Sequence, residues 1–189
     1  MMEYALRYAA RGWAVFPCKP KDKVPATRHG VLDATTDLDQ IRTWWTARPD
    51  CNIGLACGEP SGVVALDIDP RSGGQEFWDA MIDESGQLPE GVIESQTGGG
   101  GTHYLFAYAG QANIDLAPGV EVKSNGKYIV VPPSIHPSGN PYEWELSSSP
   151  IEDHDNNTDS VTPDASVAGG DDTNSNSAAT IFGLESAAT

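Results

Sequence analysis

Apolar and polar positions along the first 146 residues switch repeatedly between two periods. Leu38, Ile41, Trp44 and Trp45 recur at helical spacing. Thr36 or Asp37 supplies a cap ahead of them, and Pro49 follows, so a helix is predicted to run to about Ala47. Residues 4–11 predict a first helix stopped at Gly12, and residues 74–84 predict another. Short β-type runs lie at 13–17, 52–57, 63–69, 92–96, 104–108, 120–123, 127–131 and 142–145. Ser124-Asn125-Gly126 falls between two of these runs, a pattern that predicts a hairpin joining 120–123 to 127–131. Residues 19–36 read as a polar, proline-containing loop. Strands mixed with helices in this order predict an α/β or α+β sheet domain.

The pattern stops near Leu146. Residues 147–189 are dominated by Ser, Asp, Asn, Thr and Gly, with eight acids and no Lys or Arg. Such a segment buries too little apolar area to offset its ordering entropy. The expected organisation is one folded domain over 1–146 and a disordered acidic tail over 147–189. Ile181-Phe182-Gly183-Leu184 stands out near the end of the tail as a possible docking motif.

Charge complicates any nucleic-acid reading. The chain carries 27 acids and 11 bases, a net −16. The tail accounts for −8, and residues 1–146, with 19 acids and 11 bases, for the other −8. An excess of this size disfavours tight nonspecific DNA binding, unless some of the acids are metal ligands. No apolar run is long enough to span a bilayer, and the start has neither a charged n-region nor a long apolar h-region. A cytoplasmic protein with no membrane contact is expected. Cys18, Cys51 and Cys57 are odd in number and form no CxxC pair, so they are read as small buried hydrophobes.

Three segments carry candidate chemistry. In Val63-Val-Ala-Leu-Asp67-Ile-Asp69-Pro70, alternation along a strand puts Asp67 and Asp69 on one face, roughly 6–7 Å apart. Leu66 and Ile68 then point to the core. Two such carboxylates repel unless a cation lies between them, and a hard divalent ion suits carboxylate oxygen. A solvated strand end is the alternative. In Thr97-Gly98-Gly99-Gly100-Gly101-Thr102-His103, the glycines allow close backbone approach to phosphate, with His103 at the loop–strand junction. A flexible turn would look the same. In Val120-Glu121-Val122-Lys123, Glu121 and Lys123 share the face opposite the valines. That arrangement suits a cleft or an ordinary cross-strand ion pair.

Together with Gly12-Trp-Ala-Val-Phe-Pro17, Lys23-Val-Pro25, His29-Gly30, Ala34-Thr-Thr-Asp37 and Ile41-Arg-Thr-Trp-Trp45, these segments form a longer ordered pattern. It continues through Asn52-Ile-Gly-Leu-Ala-Cys-Gly58, Val130-Val-Pro-Pro-Ser134, Ile135-His136 and Tyr142-Glu-Trp144. Over residues 1–146 the chain resembles the bifunctional primase-polymerase domain of the archaeo-eukaryotic primase superfamily. The resemblance implies a primase-like fold, with mixed β-sheets flanked by helices and the active site in a cleft between them. It implies Asp67, Asp69 and Glu121 as ligands of Mg2+ or Mn2+, and His103 as a contact to the triphosphate. The glycine loop (Gly99, Gly100, Gly101, Thr102), Lys23, Lys123, Ser134 and His136 become lining candidates for the nucleotide. Glutamate stands at 121 where relatives often have aspartate. Lysine stands at 123 where arginine is common, and Thr102 stands where a base is frequent.

The implied activity is template-directed nucleotidyl transfer, as primase, polymerase or both, in plasmid, phage or viral-type replication. The substrates would be NTP or dNTP and a single-stranded DNA template with primer, with a separate replicative helicase as possible partner. Two other readings stay open on the same residues: a noncatalytic nucleotide- or DNA-binding module, and a metal-dependent phosphohydrolase.

Overall fold

The computed structural model describes residues 1–86, 88, 92–150 and 185–186. The predicted disordered tail and the motif at 181–184 lie almost wholly outside these described residues.

Helix α1 (Met2–Ala10) and helix α2 (Leu38–Ala47) pack on each other. Asp37 caps α2, its carboxylate accepting from the Asp39 and Gln40 amides, a contact of about 1 kcal/mol. Ile41 and Trp45 are the buried side of α2, whereas Leu38 stays 38% exposed. Between the helices runs β1 (Val15–Cys18). It pairs with β2 (Asn52–Ala56), which pairs in turn with β8 (Tyr128–Val131), making a small antiparallel sheet.

The larger sheet also pairs antiparallel throughout. Its order is β6 (Ile114–Ala117), β7 (Val120–Lys123), β3 (Val63–Ile68), β5 (Thr102–Ala107), β4 (Ile93–Gln96) and β9 (Glu143–Trp144). A two-residue strand β10 (Glu185–Ser186) pairs with the end of β5. Mixed helices and antiparallel sheets make the fold α+β, consistent with a primase-like domain.

Alternation along β3 decides which core each side chain joins. Val63 and Ala65 face a core shared by both sheets and α1–α2, with Val15, Ile53, Leu55, Ile129 and Val131 opposite. Val64, Leu66 and Ile68 face a second core, closed by helix α3 (Gly74–Ser85) through Trp78. Tyr8 ties α1 to the sheets: its hydroxyl donates to Pro132 O at 2.7 Å and accepts from the Trp144 indole at 2.8 Å. All three cysteines are buried and free, and burial raises the Cys18 and Cys57 thiols to about 12.

Two sequence expectations fail here. Residues 124–126 do turn, with Lys127 N–H donating to Ser124 O and Gly126 at φ +79°. Yet β7 and β8 do not form a hairpin: β7 pairs with β3 and β6 in the large sheet, and β8 pairs with β2 in the small one. The turn is held from outside. The Asn125 side chain accepts from Glu59 N–H and donates to the Tyr108 hydroxyl, so the chain crosses from one sheet to the other. The second miss is β6, where no strand was expected.

Candidate active site

Strand register assembles the site. Asp67 on β3 stands directly opposite Glu121 on β7 and His103 on β5. Three residues spread over 54 positions of sequence thus form one row across three neighbouring strands, on the face away from Leu66 and Ile68. Asp69 follows β3 and accepts from the Arg71 amide at 3.1 Å.

Two cavities meet at Asp67. The first, about 580 Å³, is acidic, lined by Asp67, Asp69, Asp115 and Glu121 with the Pro118–Gly119 turn beneath. The second, about 220 Å³, is basic and aromatic, lined by Lys23, His103, Lys123, Lys127, Tyr128 and Tyr142. Its walls come from both sheets, β3, β5 and β7 on one side and β8 on the other.

Each expected metal-binding acid is held by a base. Lys123 Nζ lies 2.7 Å from Asp67 and 3.4 Å from Glu121. Lys127 lies 2.9 Å from Glu121, Arg71 lies 3.0 Å from Asp69, and His103 Nε2 lies 3.4 Å from Asp67. These contacts set the charge states. Burial would raise the Asp67 carboxyl, but His103 and Lys123 outweigh it and hold the group well below the usual carboxylate range. Burial would likewise lower Lys123, and the Asp67 and Glu121 carboxylates raise it instead. The bond from Arg71 lowers Asp69. Among the described residues no three acidic, His or Cys side chains converge as a ready-made metal cage. The donor set itself suits a hard ion, because four carboxylates line one cavity. The oxygens of three of them, Asp67, Asp69 and Glu121, are turned toward ammonium and guanidinium groups.

In the glycine loop two backbone donors are used within the turn. Gly100 N–H donates to Thr97 O and Gly101 N–H to Thr97 Oγ1, both at 2.9 Å, so these donors serve the turn itself. The glycines are needed for packing. A Cβ at Gly101 would lie 2.4 Å from Ile68 O, and one at Gly98 would lie 2.4 Å from Asn140 O. Gly99 approaches the His136 ring, and Thr102 is buried at the start of β5.

The remaining candidates divide. Lys23 and Lys123 line the basic cavity. Ser134 does not: it is fully buried, and its hydroxyl accepts from Ile53 N–H at 2.9 Å, supporting the small sheet. His136 is also buried, with Nδ1 accepting from Ser138 N–H. Burial, then Lys23 and Arg71, lower its pKa. Its ring packs against Tyr142, which also lies against His103. The Tyr142 hydroxyl, His103 Nδ1 and Ser95 Oγ are buried without a hydrogen-bond partner among the described residues.

Asp115, Arg71, Lys127, Tyr128 and Tyr142 escaped the sequence reading as site residues. Asp115 sits opposite Glu121 across β6 and β7. The Pro118-Gly119 turn just ahead of the β-type run at 120–123 was its only sequence signal.

Comparison with family models gives a match over most of the folded part. The family model for bifunctional DNA primase/polymerase, N-terminal, covers residues 5–156. No curated protein matches the chain significantly. The matched span takes in every strand of both sheets except β10 and every residue lining the two cavities, and at family level it carries primase/polymerase-type nucleotidyl transfer. The chain belongs to the bifunctional DNA primase/polymerase N-terminal family.

Proposed function

We propose that the protein joins nucleotides on a DNA template, using Asp67, Asp69 and Glu121 to hold Mg2+ or Mn2+. The observation carrying this reading is the row Glu121–Asp67–His103, placed where an acidic cavity meets a basic one. Phosphoryl transfer asks for this division. Carboxylates collect metal charge at the reacting oxygens, while cations hold the triphosphate.

The metal, when bound, supplies Lewis-acid stabilisation of the transferring phosphoryl group and lowers the pKa of the attacking hydroxyl. The chain's own residues position the nucleotide. Lys23, Lys123 and Lys127 neutralise the triphosphate in the basic cavity. His103 Nε2, now against Asp67, donates to a phosphate oxygen. Tyr128 and Tyr142 close the apolar side. NTP or dNTP, a single-stranded template and a primer are the substrates, and a replicative helicase on another chain is a fitting partner.

The test is nucleotide incorporation on single-stranded DNA, with and without primer, in Mg2+ or Mn2+. Template-dependent products that vanish in Asp67→Asn support the reading. Undiminished products from a pure Asp67→Asn preparation would refute it. One observation favours a second reading: Lys123 sits between the two acids where a metal would bind, as suits a noncatalytic nucleotide-binding module. Nucleotide binding that is unaffected by metal, with no turnover, would select that reading.

A further inference from the structure

The chain's cations are unevenly spent. Lys19, Lys21, Lys23 and Arg28 are four of its 11 Lys and Arg residues, and they lie within ten consecutive positions. All four are exposed, and among the described residues none has an acidic partner. Of the seven others, five sit on carboxylates, and Arg11 and Arg48 donate to backbone carbonyls. The one acid within the stretch, Asp22, folds back on the loop and accepts from the Lys23 and Val24 amides, so four cations and one acid leave the stretch at +3. On a chain of net charge −16, this loop is where unneutralised positive charge collects.

The loop is also built rather than slack. Lys19 N–H donates to Val24 O at 2.8 Å, and Ala26 N–H to Pro17 O at 2.8 Å. Asn52 Nδ2 donates to Asp22 O at 3.0 Å, and the Tyr128 hydroxyl to Lys23 O at 2.9 Å. Arg48 clamps Ala26 O at 2.6 Å. Cations held on a fixed backbone lose less entropy on binding than a flexible basic tail would. At one point the loop enters the site, because Lys23 lines the cavity shared by Asp67, His103 and Lys123.

We propose that the Lys19–Arg28 loop is the surface along which the phosphate backbone of single-stranded DNA runs into the cavity at Lys23. This rests on the template-directed reading above and adds where the template lies. Between Lys19 and Arg28 there is no aromatic side chain, so no base is stacked there. The contact is to phosphate and tolerates any sequence.

Charge sets the expected size. For single strands log K falls with log salt by about 0.7 per phosphate neutralised, so four contacts give a slope near −3. Fluorescence anisotropy of labelled oligo(dT) between about 50 and 200 mM salt reads this slope. Lys19→Gln/Lys21→Gln/Arg28→Gln should flatten it to about −0.7 and weaken binding on the order of 100-fold at 0.1 M salt. Lys23 stays intact because it belongs to the nucleotide cavity. Lys19→Arg/Lys21→Arg/Arg28→Lys should bind like wild type, and so should Arg42→Gln on α2. A mixed-sequence oligonucleotide should match oligo(dT).

A wild-type slope in the triple Gln variant, or no oligonucleotide binding by wild type, would overturn the proposal. Incorporation assays on the same proteins separate the two ideas. Loop-dependent binding without any incorporation sinks the enzymatic reading and leaves the DNA path standing. Incorporation with an unchanged slope does the reverse.

Discussion

Lys123 is the residue whose removal says most about this site. Its ammonium lies 2.7 Å from Asp67 and 3.4 Å from Glu121, and its side chain is 19% exposed against 24% and 27% for the two acids. In Lys123→Met, Glu121 keeps Lys127 at 2.9 Å, but Asp67 keeps only His103 at 3.4 Å. Stripping one partner from a fully buried pair costs about 3–5 kcal/mol, and from an exposed pair about 0–1 kcal/mol. A pair about one-fifth exposed falls between, at roughly 2–3 kcal/mol. For a domain of this size each kcal/mol moves Tm by about 2–4 °C, so the variant should melt about 4–12 °C below wild type in chelator. Added Mg2+ or Mn2+ should then recover most of that loss, because the freed carboxylates gain the hard cation their oxygens suit. The variant should also bind metal more tightly than wild type, with no ammonium to displace. Thermal melts in chelator and in millimolar metal, beside Lys123→Arg as the charge-retaining control, make the measurement. An unchanged Tm in chelator, or an equal deficit with and without metal, would refute the reasoning.

Two further outcomes follow from the geometry. Gly101→Ala places a methyl 2.4 Å from the Ile68 carbonyl, a clash with backbone that cannot swing away. Urea denaturation should show a loss of about 1–3 kcal/mol, and a neutral result would mean that the loop is looser than its packing implies. For pH, Asp67 carries a folded pKa below its ordinary value of 3.8. Its contribution to stability is therefore complete above about pH 4 and disappears as pH falls through the folded value. Unfolding free energy measured down the acid limb should fall less steeply in Asp67→Asn than in wild type, and parallel curves would refute the assignment.

Much of the fold was legible because local rules decide it. Asp37 ahead of an apolar helical face fixes the start of α2, and alternation along β3 fixes that Asp67 leaves the core that Leu66 and Ile68 enter. The same period places Glu121 and Lys123 on one face of β7. None of this needs a partner strand. The turn at 124–126 was legible too, as a turn. What it joins was not, because hairpin pairing depends on which sheet has an open edge. Here β7 is used on both sides by β3 and β6, and β8 is taken by β2.

Strand alternation and the glycine run made Asp67, Glu121 and His103 candidates, the family resemblance implied their roles, and the register of β3, β5 and β7 alone set them in one row. Register also brought in Asp115, whose four-residue strand is too short to show a period of its own. Side-chain partners were the least legible part. The glycine run was read for its freedom to approach a ligand; the structure adds that the Gly100 and Gly101 amides close on Thr97 and that missing side chains at Gly98 and Gly101 make room for Asn140 and Ile68. Ser134 was read as a lining residue and instead serves Ile53. The sequence by itself determined which residue types stand at each strand position and which face each one takes, since that follows from backbone periodicity. Only the tertiary structure decided which charges meet, because hydrogen bonds and ion pairs act over about 3 Å, and that distance is set by strand register.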